Sequence, residues 1–212
     1  TRVIRRITRD DVCPELNVEK VAVFVGSHKP WSSKQVTAIE RFCEANNGVV
    51  LVDHTSNYNG KYRIPLALGI NQAPLNKANI PAYSVDVLIH IGEVSGEEGA
   101  MRMVRGKETW RVSEDGEIRD TFRNMSHVFE MPELLFFEKY ANCNSVNTEY
   151  YNECKRIYDE QMAMQPEQFE RMPFSNVWVA GQIAKNSPVN STVVLSILNT
   201  LLSGNFSELK QS

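Results

Sequence analysis

The feature that most constrains this chain is a set of continuous apolar runs of strand length. They are Val21-Ala22-Val23-Phe24-Val25, Val49-Val50-Leu51-Val52, Val87-Leu88-Ile89-His90-Ile91 and Thr192-Val193-Val194-Leu195-Ser196-Ile197. A strand that does not alternate apolar with polar residues is buried on both faces, and sheets covered on both faces by helices are parallel. Between the first two runs, Val36, Ile39, Phe42 and Cys43 fall on one stripe of a helix predicted over Lys34–Asn47. Asn46-Asn47-Gly48 supplies residues that tolerate the left-handed conformation ending it. Strand, helix, strand in that order is a βαβ unit.

The rest of the chain continues the alternation. Val3–Thr8 reads as a short extended arm, and Cys13–Val18 as a connector containing Pro14. Residues Thr55–Ala82 are rich in loop formers, with room for a short helix at Ile64–Leu68. Asp86–Gly92 is the third strand, followed by a short helix at Glu97–Val104. Strands are expected at Thr109–Val112 and His127–Glu130, with a turn at Glu114–Glu117 between them. Pro132 suits the first turn of a helix over Glu133–Tyr140. Helices follow at Asn147–Met164 and Phe174–Lys185, and a last strand at Thr192–Ile197. The fold class is therefore α/β: a Rossmann-like, doubly wound, mainly parallel sheet flanked by helices.

Charge and composition narrow the function classes. The formal net charge is −3, with 23 basic and 26 acidic side chains, too small and too mixed to favour nucleic acid or a membrane surface. No apolar run approaches the roughly 20 residues of a membrane span. Cys13, Cys43, Cys143 and Cys154 form no CxxC pair and no metal-ligand spacing, which fits reduced thiols in a cytoplasmic protein. Both ends read as cut from something longer.

Ligands of open parallel sheets bind outside the carboxyl ends of the strands. Those ends carry Gly26-Ser27-His28-Lys29, Asp53-His54-Thr55, Gly92-Glu93 and Ser113-Glu114-Asp115. Gly26, Ser27, His28, Asp53, Gly92 and Glu93 are the candidate lining of a nucleotide crevice, with FAD or ADP as occupant. The alternative is that these small residues serve only the turns. The G-x-G-x-x-G and P-loop patterns are absent, and Pro30 removes a donor where a diphosphate would want one. His28 or His54 as the base of a small hydrolase or transferase is a third reading, although no nucleophile-elbow sequence is present. His90 reads as a buried, hydrogen-bonded side chain, and Asp115–Asp120 as a solvated turn with local ion pairs.

Lys20–His28, Arg111–Phe122 and Val128–Glu133 resemble successive parts of the middle domain of thiamine-diphosphate-dependent enzymes. The nearest branch is the 2-succinyl-5-enolpyruvyl-6-hydroxy-3-cyclohexene-1-carboxylate synthases of menaquinone biosynthesis and their bacterial relatives. The resemblance spans about Val3 to Phe206. It implies an arm and connector at 1–19, a Rossmann-like middle domain at 20–188, and the start of a pyrophosphate-binding domain at 189–212. It implies a parent transferase, a carboligase, that passes a decarboxylated 2-oxoacid to an acceptor and works as a homo-oligomer. In that family thiamine diphosphate and magnesium are held by the pyrimidine- and pyrophosphate-binding domains. The expected Gly-Asp-Gly is not found in this sequence, so the resemblance assigns this piece no cofactor and no catalytic residue. Asn199 and Thr200 match a pair lining the parent's substrate pocket. The Arg that often follows is replaced by Leu201-Leu202-Ser203-Gly204, which removes a partner for a dicarboxylate substrate.

Overall fold

The computed structural model describes residues 2–65, 84–93, 104–142, 146–189, 191–194, 196 and 203–204. The strands are β1 (Arg5–Thr8), β2 (Val21–Val25), β3 (Gly48–Val52), β4 (Arg63–Pro65), β5 (Ser84–Ile91), β6 (Arg105–Ser113) and β7 (Met125–Glu130). The helices are α1 (Ser33–Ala45), α2 (Glu133–Tyr140), α3 (Glu149–Arg171) and α4 (Asn176–Asn186). The strands form one sheet in the order β1-β7-β6-β5-β2-β3-β4. Every neighbouring pair is parallel. Three of the apolar runs thus lie side by side in β5, β2 and β3.

Both faces of β2 and β3 are buried along their whole length. On one face Val21, Val23 and Val25 pack with Ile39 and Phe42 of α1 and Phe136 and Phe137 of α2. On the other, Ala22 and Phe24 join Leu88, Ile64 and, from α3, Tyr150 and Cys154. Each such large apolar side chain removed from water contributes about 1.5–3 kcal/mol, which offsets the ordering of the chain.

Local chemistry sets the helix ends. Ser32 caps α1 in a reciprocal box with Gln35. Asn47 takes a φ of 49° directly after that helix, as its position predicts. The Lys155–Asp159 and Arg156–Glu160 ion pairs support α3, and the Glu167–Arg171 pair lies in the turns by which it runs past its predicted end at Met164.

Several expectations are corrected. Within the arm expected at Val3–Thr8, Arg5–Thr8 form an edge strand, with Ile7 in register with Phe129. Ile64 and Pro65 belong to a strand rather than a helix, because Arg63–Pro65 extends the sheet beside β3. Residues 66–68 of that expected helix lie outside the described residues, as do 97–103 of the next; Val104 is not helical. The Thr192–Ile197 strand is not found: residues 191–194 and 196 pair with no strand, and Val194 is 89% exposed. An apolar run signals a strand that wants burial but does not say which sheet receives it. Among the described residues no helix is long and apolar enough to cross a membrane.

Candidate functional site at the carboxyl edge of the sheet

The chain runs from β2 outward through β3 to β4, while β5 pairs with the opposite side of β2. The strand order therefore reverses between β2 and β5, where open α/β sheets receive their ligands. Gly26 and Ser27 leave β2 at this point, and Gly92 and Glu93 leave β5.

These four residues meet, and they close the point rather than open it. The Gly26 N–H donates to the Ile91 carbonyl at 3.0 Å, and the Glu93 N–H donates to the Ser27 carbonyl at 2.8 Å. A β-carbon on Gly26 would overlap the Glu93 carbonyl. Gly92 sits at a φ of 71°, and a β-carbon there would crowd the Ser27 and Gly26 carbonyls. Both glycines are thus required by close backbone approach. The Gly26 and Glu93 amides, two donors a diphosphate would want here, are engaged within the chain.

His28 and Asp53 lie beside this seam in a second network. The His28 N–H donates to the Thr55 carbonyl at 3.0 Å. Asp53 Oδ1 accepts from the Thr55 amide and hydroxyl, and the Ser56 hydroxyl donates to the Val25 carbonyl. The His28 ring stacks on Trp31 with centroids 3.8 Å apart, and the Trp31 indole N–H donates to the Ser56 carbonyl. His28 Nδ1 lies 2.6 Å from the Lys29 carbonyl and Nε2 lies 2.9 Å from Glu133 Oε2. Facing two acceptors, the ring satisfies both only as the doubly protonated cation. Burial works against that charge, but the Glu133 carboxylate outweighs it and the pKa is raised. Neither nitrogen is left to act as a base. His54, the other candidate, is exposed.

A third group lies on the face of the sheet shared with α3. His90 of β5 is paired in register with Arg111 of β6. His90 is buried edge-on against Phe24 and Phe122, which matches the expectation of burial, but its Nδ1 has no hydrogen-bond partner. Burial, then the Arg111 and Arg119 charges, push its pKa down to about 3. Arg111 is 1% exposed, and its Nε also lacks a partner. Beside it, Arg119 pairs with Glu93 at 2.5 Å and Glu117 at 2.7 Å. The turn at Asp115–Asp120 therefore carries a local ion pair, as expected, and a longer one reaching the end of β5. Arg111 is not among the candidate residues read from the sequence; its one signal is a cation between the core residues Trp110 and Val112.

Asn199 and Thr200 lie outside the described residues, as does Cys143. Among the described residues Cys13, Cys43 and Cys154 form no disulfide, and burial pushes the Cys154 pKa up to about 12. Among the described residues no three His, Cys, Asp or Glu side chains converge as a metal site would require. No protein-family model matches the chain, and no curated protein matches it significantly. The described residues form a seven-stranded, all-parallel, Rossmann-like α/β sheet domain.

Proposed function

We propose that this chain serves as the non-catalytic middle domain of a thiamine-diphosphate-dependent carboligase, positioning two catalytic domains. The observation that carries the reading is the fate of Thr192–Ile197. Its composition is that of a buried parallel strand, yet its described residues join none of the seven strands and Val194 is 89% exposed. A run of this kind belongs in the core of another sheet, and the resemblance gives it one, the pyrophosphate-binding domain. Phe174, 84% exposed, adds an apolar contact on the same side of the sequence. The doubly bonded His28 and the sealed Gly26–Glu93 seam fit a scaffold better than a reaction centre.

Thiamine diphosphate would supply a carbanion on which a 2-oxoacid is decarboxylated in the parent enzyme. This chain's residues take no part in holding it in that scheme. Its share is the rigid sheet and the apolar surfaces that dock neighbours.

A second reading, a stand-alone FAD- or ADP-binding module, draws on the reversal of strand order between β2 and β5. The engagement of the Gly26 and Glu93 amides weighs against it.

Calorimetry on this chain, and on a longer chain extended through the flanking coding sequence, separates the readings. The scaffold reading expects magnesium-dependent thiamine diphosphate binding by the longer chain only. A longer chain that binds none overturns it. The nucleotide reading expects ADP to bind the 212-residue chain more tightly than inorganic pyrophosphate does, because adenine would add contacts.

A further inference from the structure

A guanidinium cannot shed its charge in a protein, so a buried arginine needs an anion and a full set of acceptors. Arg111 has neither. Among the described residues it makes no ion pair, its Nη1 reaches only the His90 carbonyl at 3.4 Å, and its Nε donates to nothing. The carboxylates whose charge reaches it are held elsewhere: Glu93 and Glu117 by Arg119, and Glu133 by His28. His90, the residue beside it in register, cannot accept the charge, and its own Nδ1 is also without a partner. Phe24 and Phe122 wall this pair in with aromatic edges. The group stands near the carboxyl ends of β5 and β6, next to the reversal of strand order.

We propose that Arg111, with Arg119 beside it, is the binding site for an oxyanion: the phosphate or carboxylate group of a small ligand at the carboxyl edge of the sheet. The planar fork of Arg111 presents Nε–H and an adjacent Nη–H in parallel, the pattern that two oxygens of either group accept. The anion supplies the charge that no described carboxylate pairs with Arg111. His90 Nδ1–H, in that tautomer of the neutral ring, is placed to donate a further bond. This site uses different side chains from the Gly26–Asp53 crevice and does not rest on the scaffold reading.

The test sets inorganic phosphate, pyrophosphate and malonate against sodium chloride at matched ionic strength, without magnesium, following thermal unfolding. At least one oxyanion is expected to raise the Tm saturably, since a ligand that prefers the folded state stabilises it by mass action. Arg111→Met should abolish the rise, and Arg119→Gln should weaken affinity about tenfold, the effect of one lost charge-assisted bond. Phosphates alone acting identifies a phosphoryl ligand, and malonate alone a carboxylate ligand. A Tm unmoved by all three, or a rise that persists in Arg111→Met, overturns the proposal. Should Arg111→Met fail to fold, the Arg111 Nε–H resonance of the unaltered chain decides. A shift saturating with the oxyanion supports the site, and a resonance indifferent to all three anions sinks it.

Discussion

His28 Nε2 lies 2.9 Å from Glu133 Oε2, tying the loop after the central strand β2 to the first turn of α2, 105 residues further along the chain. The ring is 6% exposed and the carboxylate 15%, so water screens the pair little. Because Glu133 raises the His28 pKa above 6.5, its contribution is complete below pH 6.5 and is lost as pH rises through the folded value. Urea unfolding between pH 6 and 8.5 should therefore show stability falling with pH. Glu133→Gln should remove most of that slope and cost about 1–3 kcal/mol at pH 6. A slope unchanged in Glu133→Gln would show that the ring is not charged.

His90 acts in the opposite direction. Its folded pKa, about 3, lies below the unfolded value of 6.5, so it stabilises the neutral form of the fold. That contribution is present above pH 6.5 and is lost as pH falls toward 3, at up to about 1.4 kcal/mol per pH unit. His127, also lowered by burial, adds to the same limb. His90→Phe should flatten the acid side of the stability profile, measured by unfolding at pH 4 to 6.5. An acid limb of unaltered steepness would place the titration elsewhere.

Gly26→Ala probes the seam between β2 and β5. The new methyl would overlap the Glu93 carbonyl, so one of two paired backbones must move. Overpacking of this kind costs about 1–3 kcal/mol. The Gly26 and Glu93 amides should also lose protection from hydrogen exchange. Unchanged protection in the variant would mean that the seam is looser than the geometry describes.

Strand β1 covers what would otherwise be an open edge. Ile7 is 7% exposed and packs in the same apolar cluster as Phe129. Arg6 pairs with Glu130 at 2.6 Å. Ile7→Ala should lower stability by about 2 kcal/mol, the low end for a core truncation at a sheet margin. Removing residues 1–8 should expose the β7 edge and promote self-association, visible by light scattering. A truncated chain that stays monodisperse would contradict that role.

What could be read directly tracked how local the cause was. β2, β3 and the core of β5 stand out because a strand buried on both faces needs apolar side chains at every position, whatever its neighbours. Helix α2 was placed to the residue because Pro132 and the aromatic pair Phe136-Phe137 act within two turns. β4 escaped because three residues ending in Pro65 carry no period. β1 escaped because its two arginines make an edge strand look like a solvated arm. Gly26 and Gly92 were visible, but whether they cradle a phosphate or close against each other depends on two loops more than 60 residues apart.

By itself the sequence determined that this chain builds a parallel α/β sheet, since continuous burial and helical periodicity are properties of short segments. The tertiary structure alone decided the strand order, the sealed seam, the raised pKa of His28 and the burial of Arg111 without an ion pair among the described residues. Each of these depends on which distant groups share a place in space: a carboxylate 105 residues away raises the His28 pKa, and the capture of Glu93 and Glu117 by Arg119 leaves Arg111 without an ion pair among the described residues.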